Sequence, residues 1–428
     1  MDLLTFATAG SVDDGKSTLI GRFLHDTRSI STDQLDSVTR TSGRLGLSDP
    51  NLALFTDGLR AEREQGITID VAYRHFATRR RRFILADTPG HAQYTRNMIS
   101  GVSTADAAVV LVDARQGLTR QTRRHLCLLF LLRVEHILLA VNKMDLAGFA
   151  EERFETVRAQ TNTFLRQLGT VFGAREPNAP ECTAVPVCAL LGDNVVRSSD
   201  AMPWYPGPPL LRLLEDLPAA TADRLLRTRF PVQYVLRPGS DSAGFHDYRG
   251  CAGRLISGVL RPGDQVIVMP DGLVTTVSGI DGPHGPLPQA LPGISVSLRL
   301  ADQLDVGRGH LLCDPVHPPA VLHEFDATLF WMETTPGTPG RRLLLKQHGR
   351  TVTVVVEQLH HHLDVTTLRH SSVPELGLND IGRVRLRSAQ PVLCDDYRDN
   401  RATGSFILID PDSNRTVAAG TVETGEAA

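Results

Sequence analysis

The sequence predicts an α/β domain with a doubly wound, mostly parallel sheet, followed by two antiparallel β-barrels. Apolar strand-like runs alternate with helix-like stretches through residue 200, as is typical of a parallel sheet covered by helices. A glycine-rich segment joins the first strand-like run to the first helix-like stretch. Beyond residue 228 the pattern changes to short β-type runs separated by turns, which predicts barrels.

Changes in this pattern set the expected domain boundaries. We expect the α/β domain at residues 1–227, where a helix-like stretch at 210–227 leads out of the sheet. The two barrels are expected at 228–316 and 317–419. Glycine and acidic residues dominate the last segment, 420–428, which is predicted to be a flexible tail.

Composition and charge argue against a dedicated nucleic-acid binder. The chain has 428 residues, is 41% apolar and carries a formal net charge of −3. These values are typical of a globular protein with more than one domain. Charges of both signs are mixed, and the run Arg79–Arg82 lies between two strand-like runs, where a solvated hairpin turn is expected. We therefore expect no nucleic-acid partner.

Cysteine usage and the N-terminal residues predict a cytoplasmic protein without a membrane partner. Six cysteines occur without any C-x-x-C pair, which argues against a zinc site and a disulfide framework. The apolar run 3–9 lacks a basic leader and is far too short to span a bilayer.

Lysine is rare in this chain, which makes its positions informative. Nearly all basic residues are arginine, and the lysines are Lys16, Lys143 and Lys346. Such a chain is expected to keep lysine where a compact, flexible ammonium is needed and a planar guanidinium would not serve. Lys16 and Lys143 both fall within nucleotide-binding motifs.

The first motif matches the pattern G-x-x-x-x-G-K-[ST] between a strand-like run and a helix-like stretch. Its glycines allow the backbone to turn tightly and to aim N–H groups at phosphate oxygens, helped by the N-terminal end of the helix. We expect Lys16 to meet the β- and γ-phosphates and Ser17 to ligate Mg²⁺. The predicted nucleotide-binding residues of this loop are Gly10, Ser11, Val12, Asp13, Asp14, Gly15, Lys16, Ser17 and Thr18.

The second motif predicts which base is bound. The segment Asn142-Lys143-Met144-Asp145 ends the apolar run 136–141, and ligands of open α/β sheets bind at the carboxyl ends of strands. It resembles the N-K-x-D motif of the GTPase superfamily, which specifies guanine. The Asp145 carboxylate can accept from the N1–H and 2-amino groups of guanine, whereas adenine offers neither donor in that arrangement. GTP is therefore the expected ligand.

A third segment predicts the hydrolytic machinery. It consists of Asp87, Thr88, Pro89, Gly90 and His91, all expected to bind the nucleotide. Asp87 is expected to hold Mg²⁺ through water, and the N–H of Gly90 to sense the γ-phosphate. His91 stands where translation-factor GTPases orient the attacking water with histidine, which makes it a catalytic candidate.

A switch residue is expected upstream of that segment. Thr68, in the run R-E-Q-G-I-T-I at 63–69, looks like the switch threonine whose hydroxyl closes on Mg²⁺ in the triphosphate state. The expected metal ligands are thus Ser17, Thr68 and Asp87. The expected catalytic residues are His91, Lys16 and Thr68.

The last motif differs from its family pattern at one position. Cys188, Ala189 and Leu190 occupy the place of S-A-L, whose backbone contacts the guanine O6 in these GTPases. Cysteine is a poorer hydrogen-bond donor than serine, so we expect a modest cost in affinity and no loss of specificity. A redox-active Cys188 is an alternative, although nothing nearby in the sequence would depress its pKa.

Several longer runs narrow the resemblance. They are G-S-V-D-D-G-K-S-T at 10–18, A-E-R-E-Q-G-I-T-I-D-V-A-Y-R at 61–74, D-A-R-Q-G at 113–117 and Q-T-R-R-H at 121–125, with F-D-A-T-L-F-W-M at 325–332. Together they resemble the large, GTPase subunits of bacterial sulfate adenylyltransferase. Elongation factors of the Tu type usually carry histidine where Asp14 stands.

The resemblance implies a role in sulfate activation. In that family GTP turnover is coupled to the transfer of AMP from ATP to sulfate, catalysed by a separate small subunit, which yields adenylyl sulfate and diphosphate. An elongation-factor-Tu-like GTPase that carries aminoacyl-tRNA is the alternative. Lys346 lies outside any second P-loop motif, so a fused adenylyl-sulfate kinase is not expected.

Overall fold

The computed structural model describes residues 2–44, 50–55, 70–172, 182–218, 226–237 and 248–424. The chain divides into two compact units. One comprises Met1–Ala219 with Val365–Arg369, and the other comprises Ala220–Asp364 with His370–Ala428.

The first unit contains a six-stranded sheet in the order β2-β3-β1-β4-β5-β6. Its strands are β1 (Leu3–Gly10), β2 (Ala72–Ala77), β3 (Arg82–Asp87), β4 (Ala107–Asp113), β5 (His136–Asn142) and β6 (Thr183–Pro186). All neighbours pair in parallel except β2 and β3, which are antiparallel. The predicted mostly parallel α/β sheet is therefore confirmed.

Helices follow the strands along the chain. They are α1 (Lys16–Asp26), α2 (Thr32–Arg44), α3 (Thr95–Val102), α4 (Arg120–Leu131), α5 (Glu151–Val171) and α6 (Leu210–Asp216). Helix α1 buries Leu19, Ile20, Phe23 and Leu24, which form one apolar stripe at helical spacing. Helix α6 ends at Asp216, and residues 217 and 218 are not helical, so the helix predicted over 210–227 is wrong at that point; residues 219–225 of that range lie outside the described residues.

Aromatic packing fixes β1 against α1. The ring of Phe6 on β1 lies 6.2 Å from that of Phe23 on α1 and 6.1 Å from that of Phe83 on β3. Phe76 stacks on Phe83 at 4.8 Å. Aromatic pairs at these distances contribute beyond their buried area, so the loop between β1 and α1 is anchored at both ends.

The second unit contains two closed barrels. In the first, strands follow the ring β10-β12-β8-β7-β13-β9, closed by pairing of β9 with β10. Its strands are β7 (Arg229–Leu236), β8 (Gly250–Arg254), β9 (Gln265–Met269), β10 (Leu273–Gly282), β11 (Gly285–Pro286), β12 (Ser295–Leu300) and β13 (Leu311–Cys313). The predicted antiparallel barrel is thus present.

The second barrel is closed by pairing of β15 with β16. Its strands are β14 (Ala320–Trp331), β15 (Arg342–Gln347), β16 (Arg350–Leu363), β17 (His370–Ser371), β18 (Ile381–Cys394), β19 (Ser405–Ile409) and β20 (Thr416–Glu423). The predicted tail at 420–428 is wrong at its start, because β20 extends to Glu423 and pairs with β14 and β19. The glycine there faces the ring of Phe406.

One arginine of the run Arg79–Arg82 is not a solvated turn residue. Arg81 is 1% exposed, and its Nη1 donates to the carbonyls of Leu214 and Leu217 at 3.2 and 2.6 Å. Its Nη2 donates to Asp2 at 2.8 Å. Arg81 therefore ties the β2–β3 turn to the end of α6, a structural role that leaves this guanidinium unable to contact nucleic acid.

In the described parts of the chain, no helix is long and apolar enough to cross a membrane.

Candidate nucleotide-binding site

The predicted motifs converge at one edge of the six-stranded sheet. They follow β1, β3, β5 and β6, whose carboxyl ends all point to that edge because these strands are parallel. Direct contacts join the P-loop to Gly90, to Asn142 and, through Asn142, to Ala189. The predicted switch residue Thr68 lies outside the described residues.

The loop between β1 and α1 has the geometry of a phosphate cradle. Gly15 caps α1 with φ +94°, and no side chain caps this helix end. The first N–H groups of a helix have no carbonyl acceptor within it, and the helix dipole favours an anion there. A Cβ on Gly15 would lie 2.4 Å from Nδ2 of Asn142, so only glycine fits. These features suit the phosphates of a nucleotide.

Lys16 lies inside this cradle. Its Nζ donates to the carbonyl oxygens of Gly10 and Ser11 at 3.0 and 2.8 Å. A Cβ on Gly90 would lie 2.3 Å from Nζ, so the D-T-P-G segment approaches the ammonium as closely as glycine permits. Burial lowers the pKa of Lys16, and the carboxylates of Asp87 and Asp14 oppose that shift.

The side chain of Asp14 stabilises the loop between β1 and α1. Its Oδ2 accepts the Ser11 N–H at 2.5 Å, and the side chain is 2% exposed. Burial raises the pKa of Asp14, whereas the hydrogen bond from Ser11 and the charge of Lys16 lower it. Val12 and Asp13, by contrast, are exposed at the tip of the loop, where Asp13 adopts a φ of +66°.

Asn142 links the phosphate end of the site to the base end. Its Nδ2 donates to the carbonyl of Asp14 at 2.7 Å, and its Oδ1 accepts the N–H of Ala189 at 3.0 Å. The side chain is 2% exposed, and both of its polar atoms are satisfied. One buried amide thus sets the separation between the P-loop and the loop that follows β6.

Lys143 is held by a buried carboxylate that the sequence analysis did not single out. Its Nζ lies 3.1 Å from Oδ2 of Asp113, to which Nη2 of Arg115 also donates at 2.7 Å. Burial by itself would raise the pKa of Asp113, but the hydrogen bonds from Arg115 and Lys143 outweigh it and lower the pKa to about 2. Lys143 itself adopts a left-handed conformation at φ +60°.

Cys188 contacts Asp145 through its side chain. Its Sγ donates to Oδ1 of Asp145 at 3.1 Å. Burial raises the pKa of Cys188 to about 12, and the neighbouring Asp145 carboxylate acts in the same direction. Thiolate is the reactive form of cysteine, so this environment disfavours the redox-active alternative. Next to it, Met144 and Ala189 are buried and Leu190 is exposed.

The D-T-P-G-H segment begins at the end of β3. The hydroxyl of Thr88 donates to the carbonyl of Thr8 at 2.5 Å, which ties the segment to β1. Oδ1 of Asp87 accepts from the Thr8 hydroxyl at 3.4 Å. His91 is half-buried, and its Nδ1 accepts the N–H of Gln93 at 3.4 Å. Pro89 and Gly90 between them are buried.

His125 is a further residue of this site that the motifs did not predict. The N–H of Gly10 donates to its Nδ1 at 3.2 Å, and Nε2 lies 2.8 Å from Nε2 of Gln121. Burial lowers the pKa of His125 to about 3, and the nearby charges of Lys16 and Arg124 add to the shift. The spacing of Gln121 and His125, four residues apart on one helix face, was the available signal.

Two family models match the chain. The Elongation factor Tu GTP binding domain matches residues 1–226. A GTP-eEF1A C-terminal domain-like model matches residues 324–423.

Curated relatives match along nearly the whole chain. "Sulfate adenylyltransferase subunit 1" of Bacteroides fragilis is 48% identical over 98% of this chain and 86% of that protein. The chain belongs to the sulfate adenylyltransferase subunit 1 family. The member from Methylorubrum populi is 47% identical over 100% of this chain and 88% of its own length. "Bifunctional enzyme CysN/CysC" of Mycobacterium tuberculosis is 51% identical over 98% of this chain and 67% of that protein.

Membership of this family confirms the resemblance inferred from the sequence. The elongation-factor alternative is less well supported, because the relatives named "Sulfate adenylyltransferase subunit 1" match at 44 to 48% identity along nearly the whole chain. The elongation-factor model matches the first domain, which the two kinds of protein share.

Proposed function

We propose that this chain binds and hydrolyses GTP and couples that turnover to adenylyl sulfate synthesis by a separate small subunit. One arrangement supports the proposal most strongly. Asn142 joins the P-loop carbonyl of Asp14 to the N–H of Ala189, so that phosphate-binding and guanine-reading segments form one site. The sulfate adenylyltransferase reaction is proposed from the names of the relatives.

The residues at the phosphate end fit a triphosphate with Mg²⁺. Ser17 is the second residue of α1, and Asp87 at the end of β3 is close enough to Lys16 to influence its pKa. A hydroxyl and a carboxylate offer the oxygen ligands that Mg²⁺ prefers. Thr68 would complete the proposed set. When bound, Mg²⁺ would neutralise negative charge on the phosphates.

The chain's own residues would then act as follows. Lys16 exchanges its bonds to the Gly10 and Ser11 carbonyls for phosphate oxygens, which a flexible ammonium can do. The Gly90 N–H meets the γ-phosphate, and His91 orients the attacking water. Asp145 accepts from guanine. Hydrolysis by the chain alone is expected to be slow, because positioning without further stabilising groups leaves transition-state charge incompletely compensated.

The adenylyl transfer itself is assigned to the partner. The sequence of this chain contains one P-loop motif, and the two barrels carry no second one. ATP and sulfate would therefore react on the small subunit, and GTP turnover here would bias a conformational equilibrium shared by both sites. One relative is named as bifunctional, so the expected absence of a fused kinase remains a prediction.

A cytoplasmic location is also proposed. All six cysteines are free and buried, as suits a reducing compartment.

Copurification tests the proposed partner against the alternative. The tagged full-length chain is coexpressed with the small subunit from the same host, and retained protein and RNA are analysed after washing with GTP. The proposal predicts that the small subunit is retained and that aminoacyl-tRNA is not. Retention of aminoacyl-tRNA without the small subunit would favour the elongation-factor reading.

A further inference from the structure

The side chain of Arg22 donates hydrogen bonds to the backbone of the loop that follows β6. It lies on α1, six residues after Lys16, and its Nε donates to the carbonyl of Ala189 at 3.2 Å. Its Nη2 donates to the carbonyl of the next residue, Leu190. One planar guanidinium therefore holds two consecutive carbonyl groups, a fork that a lysine ammonium cannot reproduce.

The same loop is held on its other side by Asn142. The N–H of Ala189 donates to Oδ1 of Asn142 at 3.0 Å. The loop then turns back through Gly192, whose N–H donates to the Cys188 carbonyl at 2.7 Å. Gly192 has φ +94°, and a Cβ there would lie 3.4 Å from Cδ of Arg22. The left-handed φ is what favours glycine here, because the Cβ would make only an ordinary contact with Arg22.

Apolar packing does not explain how the tip of this loop is kept in place. The side chains of Leu190 and Leu191 are 64% and 61% exposed. Arg22, in contrast, is largely buried at 18% exposure of its side chain, and its Nη1 lies 3.7 Å from Oδ1 of Asp26. Hydrogen bonds from a charged, partly desolvated donor are stronger than those between neutral groups. The polar contacts of Arg22 and Asn142, together with the backbone hydrogen bonds of the turn, therefore hold the tip.

We propose that Arg22 is a positioning residue for guanine recognition. It fixes the carbonyl groups of Ala189 and Leu190 so that N–H groups of the same loop face the guanine O6. Because Arg22 belongs to the helix whose first turn binds phosphate, it also makes the phosphate and base ends of the site one rigid piece. This inference rests on the proposed binding of GTP.

The first test measures dissociation of a fluorescent GTP analogue from the full-length chain. Arg22→Ala is expected to release the nucleotide about tenfold faster than the wild type, because it loses both carbonyl contacts. Arg22→Lys, which can reach one carbonyl, is expected to lie between the two. Asp26→Asn is the matched control, since it removes the carboxylate beside Arg22 and His25 and keeps both carbonyl contacts of Arg22, and it should release the nucleotide at the wild-type rate.

The second test separates base positioning from a general structural role. The triphosphate of 2-aminopurine riboside keeps the 2-amino group of GTP and lacks O6 and the N1–H; the lost N1–H affects the wild type and the Arg22 variant alike. Arg22→Ala should weaken GTP binding about tenfold and leave the affinity for this analogue unchanged. The thermal unfolding midpoint of each variant is measured in parallel.

Two outcomes would count against Arg22. Equal weakening for both nucleotides would make it a structural residue, and wild-type dissociation from Arg22→Ala would remove the role altogether. If Arg22→Ala fails to fold, Arg22→Lys is used instead, provided that its unfolding midpoint is unchanged. This variant too should lose affinity for GTP and keep its affinity for the 2-aminopurine analogue. A wild-type chain that binds no GTP would overturn the proposed function itself.

Discussion

The thiol of Cys188 donates a hydrogen bond to the carboxylate of Asp145, with Sγ and Oδ1 3.1 Å apart. The donor and the acceptor lie in different motifs, one after β6 and the other after β5. Burial holds the pKa of Cys188 at about 12, so the sulfur remains a neutral donor at physiological pH. The contact leaves the second oxygen of Asp145 available for the base.

Removing this thiol should weaken GTP binding. Cys188→Ala leaves the Asp145 carboxylate without its orienting donor, and we expect the Kd for GTP to rise by about three- to tenfold. Cys188→Ser supplies a better donor and should bind at least as tightly as the wild type. Cys182→Ala, whose thiol contacts Asn162 instead, serves as the control in equilibrium titrations. An alanine variant with wild-type affinity would show that the contact does not matter for binding.

Asp145→Asn should change the preferred base. The amide can donate to the 2-oxo group of xanthine, whereas the carboxylate accepts from the 2-amino group of guanine. Competition binding with GTP, XTP and ATP is the measurement, and the variant should prefer XTP to GTP. If GTP is still preferred, Asp145 does not read the base.

Lys16 should be intolerant of substitution. Its Nζ occupies a space bounded by the carbonyls of Gly10 and Ser11 and by Gly90. Lys16→Ala loses the phosphate contact, and the guanidinium of Lys16→Arg is too bulky for this space, so both variants should lack GTPase activity while remaining folded. Circular dichroism checks the fold, and Lys346→Ala is a control outside the site. Turnover close to the wild-type rate in either variant would refute the P-loop assignment.

His125 should make stability depend on pH. Its pKa is lowered to about 3 in the folded chain from an ordinary value of 6.5. Below about pH 6.5, His125 therefore binds a proton in the unfolded chain but not in the folded chain. The free energy of unfolding is highest above that pH and decreases as the pH falls toward 3. Between about pH 8 and pH 5 this residue should lower the free energy of unfolding by about 2 kcal/mol.

The variant His125→Gln isolates that contribution. Its amide oxygen can still accept the N–H of Gly10, and it does not titrate. Chemical denaturation at both pH values should show a smaller loss of stability than in the wild type, by about 2 kcal/mol. The exposed His284, replaced by glutamine, is the control. Equal pH dependence in wild type and His125→Gln would show that His125 does not carry the effect.

The sequence predicted the backbone features of the site and missed side-chain contacts between distant segments. Gly15 and Gly90 were predictable because both belong to short sequence motifs. In the structure, a Cβ at either position would collide with a neighbouring atom of the phosphate cradle. The contacts of Arg22 with Ala189 and of His125 with Gly10 were not predictable, because these partners lie 167 and 115 residues away, and periodicity does not reveal such pairs.

Two predictions made from composition were wrong because the residues concerned have backbone partners in the folded chain. The glycine and acidic residues at 420–428 suggested a tail, yet the residues up to Glu423 complete a barrel by pairing with β14 and β19. Similarly, a run of charged residues suggested full solvation, whereas Nη1 of the buried Arg81 donates to the carbonyls of Leu214 and Leu217. Backbone partners that a pattern cannot show explain both errors.

The most direct measurement of the central claim is a paired assay of the two reactions. Phosphate released from GTP and pyrophosphate released from ATP are followed together, with sulfate present or omitted and with the small subunit from the same host. The wild-type chain alone should hydrolyse GTP slowly and form no adenylyl sulfate, and the partner should raise both rates. His91→Ala should then lower both rates by a similar factor, on the order of 10², with GTP affinity retained. The exposed Arg96→Ala should leave both rates unchanged. The account is contradicted if partner and sulfate leave GTP turnover unchanged, or if His91→Ala slows GTP hydrolysis without slowing adenylyl sulfate formation.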